Sequence, residues 1–128
     1  MTEPPRRGAT TVLLLPAVLA LALLAAHFYR AGLVPLVPTC IGATALLFVR
    51  LPWVRYLAIG SLLLASAEWI RTLVVLVGER AAAEEPWLLL AAILGGVAAF
   101  TLLAALPFGS AALRRWYAGS EPPGPAAA

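Results

Sequence analysis

PWVRYLAIGSLLLASAEWIRTLVVLVG, residues 52–78, is a long apolar run with Arg55 near its start and one carboxylate and one guanidinium at its centre, in Ala67-Glu68-Trp69-Ile70-Arg71-Thr72. As a helix rising about 1.5 Å per residue it exceeds the roughly 30 Å of a bilayer's hydrocarbon, so both charges are expected inside the membrane. A charge at that depth costs roughly 2.5 to 3.5 kcal/mol on insertion scales and must face protein, water or another charge. Glu68 and Arg71 are three residues apart, and such residues are neighbours on a helix surface, so the spacing predicts an intramembrane charge pair. Ala58, Ser61, Ala65, Glu68, Thr72 and Val75 recur at helical steps along the same face, and small or hydroxyl residues at that period let a second helix approach.

Working outward, the chain has 128 residues, 62% of them hydrophobic and 12% charged, and the apolar residues fall in four long blocks. This composition excludes an ordinary soluble fold and predicts an all-α integral membrane bundle of four transmembrane helices. The spans are expected at about 11–29, 33–49, 52–78 and 86–106. Residues 1–10 read as a flexible arm and residues 118–128 as a disordered tail. In the first span, Thr10 or Thr11 is placed to cap the start, Pro16 falls early, and Ala22 with Ala26 offers a small-residue contact. Pro35, Pro38 and Gly42 make the start of the second span irregular, and such backbone is tolerated at membrane depth only against protein or water. Pro52 suits a first helical position, and Pro86 after Glu84 and Glu85 suits another. The expected contact face of the fourth span is Ala91, Gly95 and Ala99. Ser110 to Tyr117, with Arg114 and Arg115, reads as a short amphipathic segment on the membrane surface.

The basic charge consists of nine arginines and no lysine, dispersed at the ends of the spans rather than gathered in a stripe, which argues against nucleic acid as a partner. Arginine-only, alanine-rich usage is associated with GC-rich bacterial genomes, so a bacterial cytoplasmic (inner) membrane is the expected location. Arg6, Arg7, Arg50, Arg55, Arg114 and Arg115 share one side of a four-span topology, against Arg30 and Arg80 on the other. The positive-inside rule then places both termini in the cytoplasm.

That topology gathers His27, Thr39, Cys40 and Thr72 with the Glu68/Arg71 pair in the outward half of the bundle, as a possible polar cluster. Two readings stand beside each other. In one, Glu68 exchanges a proton or ligand within a vestibule; in the other, the pair neutralises itself and fixes helix register. A single histidine and a single cysteine make no recognisable metal or catalytic set, so no metal, no cofactor and no enzymatic activity are expected. Trp69, about 100° around the helix from Glu68, either marks a surface for a partner or packs inside the bundle. The expected function is an accessory, assembly or stabilising subunit of a larger membrane complex, joined to partner subunits or copies of itself through small-residue faces. The alternative is a small homo-oligomeric transporter or channel component using Glu68 and Arg71.

Overall fold

The computed structural model describes residues 7–118, all of its regular structure helical: α1 (Arg7–Arg30), α2 (Leu36–Leu46), α3 (Pro52–Ala82), α4 (Leu88–Leu103), a 3-10 turn (Leu106–Gly109) and α5 (Ala111–Ala118). Three helical stretches, Thr10–Arg30, Pro52–Ala82 and Leu88–Gly109, are long and apolar enough to cross a membrane. Leucines 64, 88 and 89 are each about three-quarters exposed, a surface suited to lipid and not to water. The chain is a membrane protein.

α2 departs from the expected pattern. Its 11 residues rise only about 16 Å, half the hydrocarbon thickness. The irregular part predicted near the prolines lies ahead of it, at residues 33–35, and Pro38 sits in the first turn, where a missing N–H costs no helical hydrogen bond. The fourfold set of full-length helices expected from hydropathy is therefore three long helices and one short one.

Several boundaries also differ. Helix α1 already runs at Arg7, so residues 7–10 of the expected arm are helical, since no proline intervenes between Pro5 and Pro16, and neither Thr10 nor Thr11 is its cap. The rest of that arm and residues 119–128 of the expected tail lie outside the described residues. Helix α3 passes through Gly78 into the strong helix formers Ala81 and Ala82, because one glycine costs only about 1 kcal/mol. Helix α4 begins at Leu88, two residues beyond Pro86.

Helices α1 and α3 end in the same kind of turn. After α1, Gly32 has φ +78°, its N–H donates to Tyr29 O, and Leu33 N–H donates to Phe28 O. After α3, Glu84 has φ +57°, its N–H donates to Ala81 O, and Glu85 N–H donates to Arg80 O. Both are Schellman caps, which satisfy terminal carbonyls and reverse the chain. They turn α1 onto α2 and α3 onto α4.

Packing of α3 against α4 is antiparallel: Ser66 Oγ donates to Ala98 O at 3.1 Å, and a side chain added at Gly95 would touch Leu73. Two core clusters follow. One joins Leu14, Ala17 and Leu21 of α1 to Val54, Ala58 and Leu62 of α3, closed below by Phe108, Leu113 and Tyr117. The other joins Leu24, Cys40, Ala65, Trp69, Leu94 and Ala98. Trp69 thus packs inside the bundle. The buried row of α1 runs through Leu14, Ala17, Leu21 and Leu24, leaving Ala22 and Ala26 exposed. That of α4 runs through Leu94, Ala98 and Thr101 to the buried Ala104 just past its end, one residue round from the expected face, with Ala99 exposed.

Helix α5 is amphipathic as expected: Leu113 and Tyr117 are buried against the bundle while Arg114 and Arg115 are exposed. The Tyr117 hydroxyl donates to Leu47 O at the C-terminal end of α2, and the Arg50 guanidinium lies 3.7 Å over the Trp116 ring.

Candidate functional site: a polar cluster between α1 and α3

The carboxylate of Glu68 is held by a two-point contact. Arg71 donates from Nε to Oε2 at 2.9 Å and from a terminal nitrogen to Oε1 at 2.6 Å, the fork geometry in which arginine binds carboxylate most strongly. The i,i+3 spacing alone brings these groups together, as the sequence predicts.

Helix α1 adds the third member. His27 lies one turn before the end of α1, and its Nε2 is 3.4 Å from Glu68 Oε1 and 3.3 Å from Thr72 Oγ1. Thr72 Oγ1 is itself 3.4 Å from Glu68 Oε1. The His27 ring is oriented by aromatic packing, with centroids 4.7 Å from Trp69 and 5.7 Å from Phe28. Three groups therefore surround Glu68 Oε1: a guanidinium, an imidazole and a hydroxyl.

This arrangement couples a proton position to a hydroxyl orientation. When His27 Nε2 carries hydrogen it donates to Glu68 Oε1; when that hydrogen is on Nδ1, Nε2 becomes an acceptor for the Thr72 hydroxyl. Thr72 has a single hydrogen to give, so donation to His27 and donation to Glu68 exclude each other. The cluster can hold or move one proton between atoms already within reach.

Helix lengths decide how open the cluster is. Only three residues of α1 lie beyond His27, whereas α3 continues ten residues beyond Thr72, about 15 Å. The cluster consequently lies under an opening where the α1–α2 turn falls short of the α3–α4 hairpin. A cleft of about 390 Å³, lined by His27, Arg30, Arg71 and Thr72, occupies that opening. The Arg71 side chain is 62% exposed, against 21% for Glu68 and 17% for His27.

A second cleft, of about 200 Å³, reaches Glu68 from the gap between α2 and α3, and Thr39 and Cys40 line it. Among the residues predicted to cluster, His27, Thr72, Glu68 and Arg71 thus meet directly. Thr39 and Cys40 approach only across this cleft, with Cys40 buried in the second core cluster. Among the described residues, no group of three or more His, Cys, Asp and Glu side chains is placed to hold a metal ion. Sequence reading missed the ring of Trp69 as the platform for His27; the 3.6-residue period, which puts Trp69 beside Ala65 and Thr72, was the signal for it.

The fold and the cluster define an all-helical membrane protein with an interhelical carboxylate–guanidinium–imidazole site. No family model matches the chain, and neither a curated protein nor a solved structure matches it.

Proposed function

We propose that the protein is a non-enzymatic subunit of a larger membrane assembly, and that the Glu68–Arg71 pair belongs to the face it offers to a neighbour. The exposure of Arg71 carries this reading. A cationic side chain that is 62% exposed on the flank of a membrane-length helix must be covered by water or by another polypeptide, since lipid solvates it poorly. Ile70 and Val74, also exposed, extend the same flank. We place the subunit in a bacterial cytoplasmic membrane, with α2 and its apolar flanks forming a fourth crossing and both termini on the cytoplasmic side. The distribution of arginines supports that orientation.

Photo-crosslinking residues at positions 70 and 74 should capture a neighbouring chain, while one at position 89, on the far side of α4, should capture none. Mild detergent extraction followed by native mass measurement should give a species larger than one chain; a monodisperse, uncrosslinked monomer would refute the proposal. A periplasm-specific reporter fused within residues 80–84 should be active, and one fused after residue 118 silent.

A second reading is favoured by the contact of His27 Nε2 with both Glu68 and Thr72 beneath an open cleft. A homo-oligomeric transporter would use that relay to couple proton movement to flux. It requires proton-dependent flux in proteoliposomes that Glu68→Gln abolishes without loss of folded protein.

A further inference from the structure

The opposite end of the bundle, which the polar cluster does not touch, carries Arg50, Arg55, Arg114 and Arg115. The described carboxylates are Glu68, Glu79, Glu84 and Glu85, and the nearest, Glu68, is 13 residues up α3 from Arg55, about 20 Å. Neither Arg55 nor Arg114 forms an ion pair among the described residues. Both line one open cleft of about 410 Å³, with Pro52, Tyr56 and Tyr117 as its walls. That volume is within the range of small-molecule sites, roughly 300 to 1,000 Å³.

The cleft is built by the docking of α5. Burial of Leu113 and Tyr117 fixes the helix against the bundle, and this sets Arg114 opposite Arg55. The Tyr117 hydroxyl is committed to Leu47 O, so it serves as wall and not as ligand. The Arg55 guanidinium lies 4.7 Å from the Tyr56 ring. Two arginines lining one space, with no acid among the described residues to neutralise them, are complementary to a phosphate oxygen pair.

The surface above the cleft distinguishes a lipid from a free anion. Tyr56, Gly60, Leu63 and Leu64 continue along one side of α3 away from Arg55, with Tyr56, Leu63 and Leu64 all exposed and open space around Gly60. An acyl chain can lie along this strip while its headgroup occupies the cleft. We infer that Arg55 and Arg114 form a binding site for the headgroup phosphate of an anionic phospholipid, whose acyl chain runs along the Tyr56–Leu64 side of α3.

The test is native mass measurement of the full chain released from nanodiscs of phosphatidylglycerol or of phosphatidylcholine, with titration of the lipid back into delipidated protein. Phosphatidylglycerol should be retained and phosphatidylcholine lost. Each arginine near an anionic headgroup is worth roughly fivefold in binding, so R55A/R114A should weaken phosphatidylglycerol binding about thirtyfold. R115A removes the same charge from the neighbouring position, where Nε already donates to Ala111 O, and should change binding by much less. Equal losses in R114A and R115A would reduce the effect to a general surface field and overturn the site. R55Q/R114Q keeps most of the side-chain bulk and should lose binding like the alanine pair; wild-type binding by this variant would also overturn it. Millimolar inorganic phosphate should not displace the lipid, and displacement would make the site one for free phosphate instead.

Discussion

Tyr117→Phe removes one oxygen and leaves every other contact of the ring in place, including its stacking at 6.1 Å on Phe108. The oxygen is the hydrogen-bond donor to Leu47 O, and Tyr117 and Leu47 are 1% and 2% exposed, so water does not readily replace it. An acceptor left unpaired at a buried site costs about 1 to 3 kcal/mol, which is the expected destabilisation near neutral pH. Alkali supplies an independent check. Burial pushes the Tyr117 hydroxyl from an ordinary value of 10.0 up to about 12. A raised folded-state value means the native chain holds its proton more tightly than the unfolded chain. The associated stability is thus fully present below pH 10 and is lost as pH rises from about 10 towards 12, by at most roughly 3 kcal/mol. Thermal unfolding of detergent-solubilised protein from pH 8 to 11.5 should show the wild type losing stability above pH 10, while Tyr117→Phe starts lower and stays flatter. Equal stability of the two proteins at pH 8, or parallel alkaline losses, would refute the role given to this hydroxyl.

Three further outcomes are expected. Glu68→Ala and Arg71→Ala should each lower membrane accumulation by stranding the partner charge, and the double variant should accumulate better than the singles together imply; quantitative blotting of membranes checks this, and strictly additive losses would show the pair to be uncoupled. Glu84→Gly should raise stability by up to about 1 kcal/mol, because a residue with a Cβ is held at φ +57° in the cap of α3; an unchanged or lowered melting temperature contradicts that account. Gly95→Ala should be tolerated or mildly stabilising, since the added carbon would meet only Leu73 at an ordinary 3.7 Å, whereas Gly95→Leu should drive α3 and α4 apart and lower the melting temperature.

Charge and spacing were the legible part of this chain. The Glu68–Arg71 contact follows from helical period alone, and a lone polar side chain such as His27 near the end of an apolar helix has few places to go but towards another polar group. Helix faces were much less legible. In water a buried face is apolar and the opposite face polar, but in lipid both are apolar, so leucine marks neither. Small-residue spacing then picks out several stripes at once: Ala22 with Ala26 and Ala91 with Ala99 look as good as the rows through Ala17 and Ala98 that are buried. The length of α2 was hidden for a related reason. Hydropathy sees the apolar residues 33–49 as one block and does not see that only 11 of them are helical. The contact of Tyr117 with Leu47 joins residues 70 apart, beyond any local pattern.

The shortness of α2 bears on how the chain is made. A nascent segment with about 16 Å of helix and two prolines gains little by partitioning into lipid alone, whereas α1 ahead of it partitions readily. Because the Gly32 turn folds α2 directly back on α1, a fourth crossing built on α2, as proposed above, would enter the bilayer with α1 as one helical hairpin, α2 travelling on the hydrophobicity of its predecessor. Weakening α1 should then misdirect α2 as well, so a polar substitution at Leu19, which faces away from the core, would disturb the topology of a helix it does not belong to.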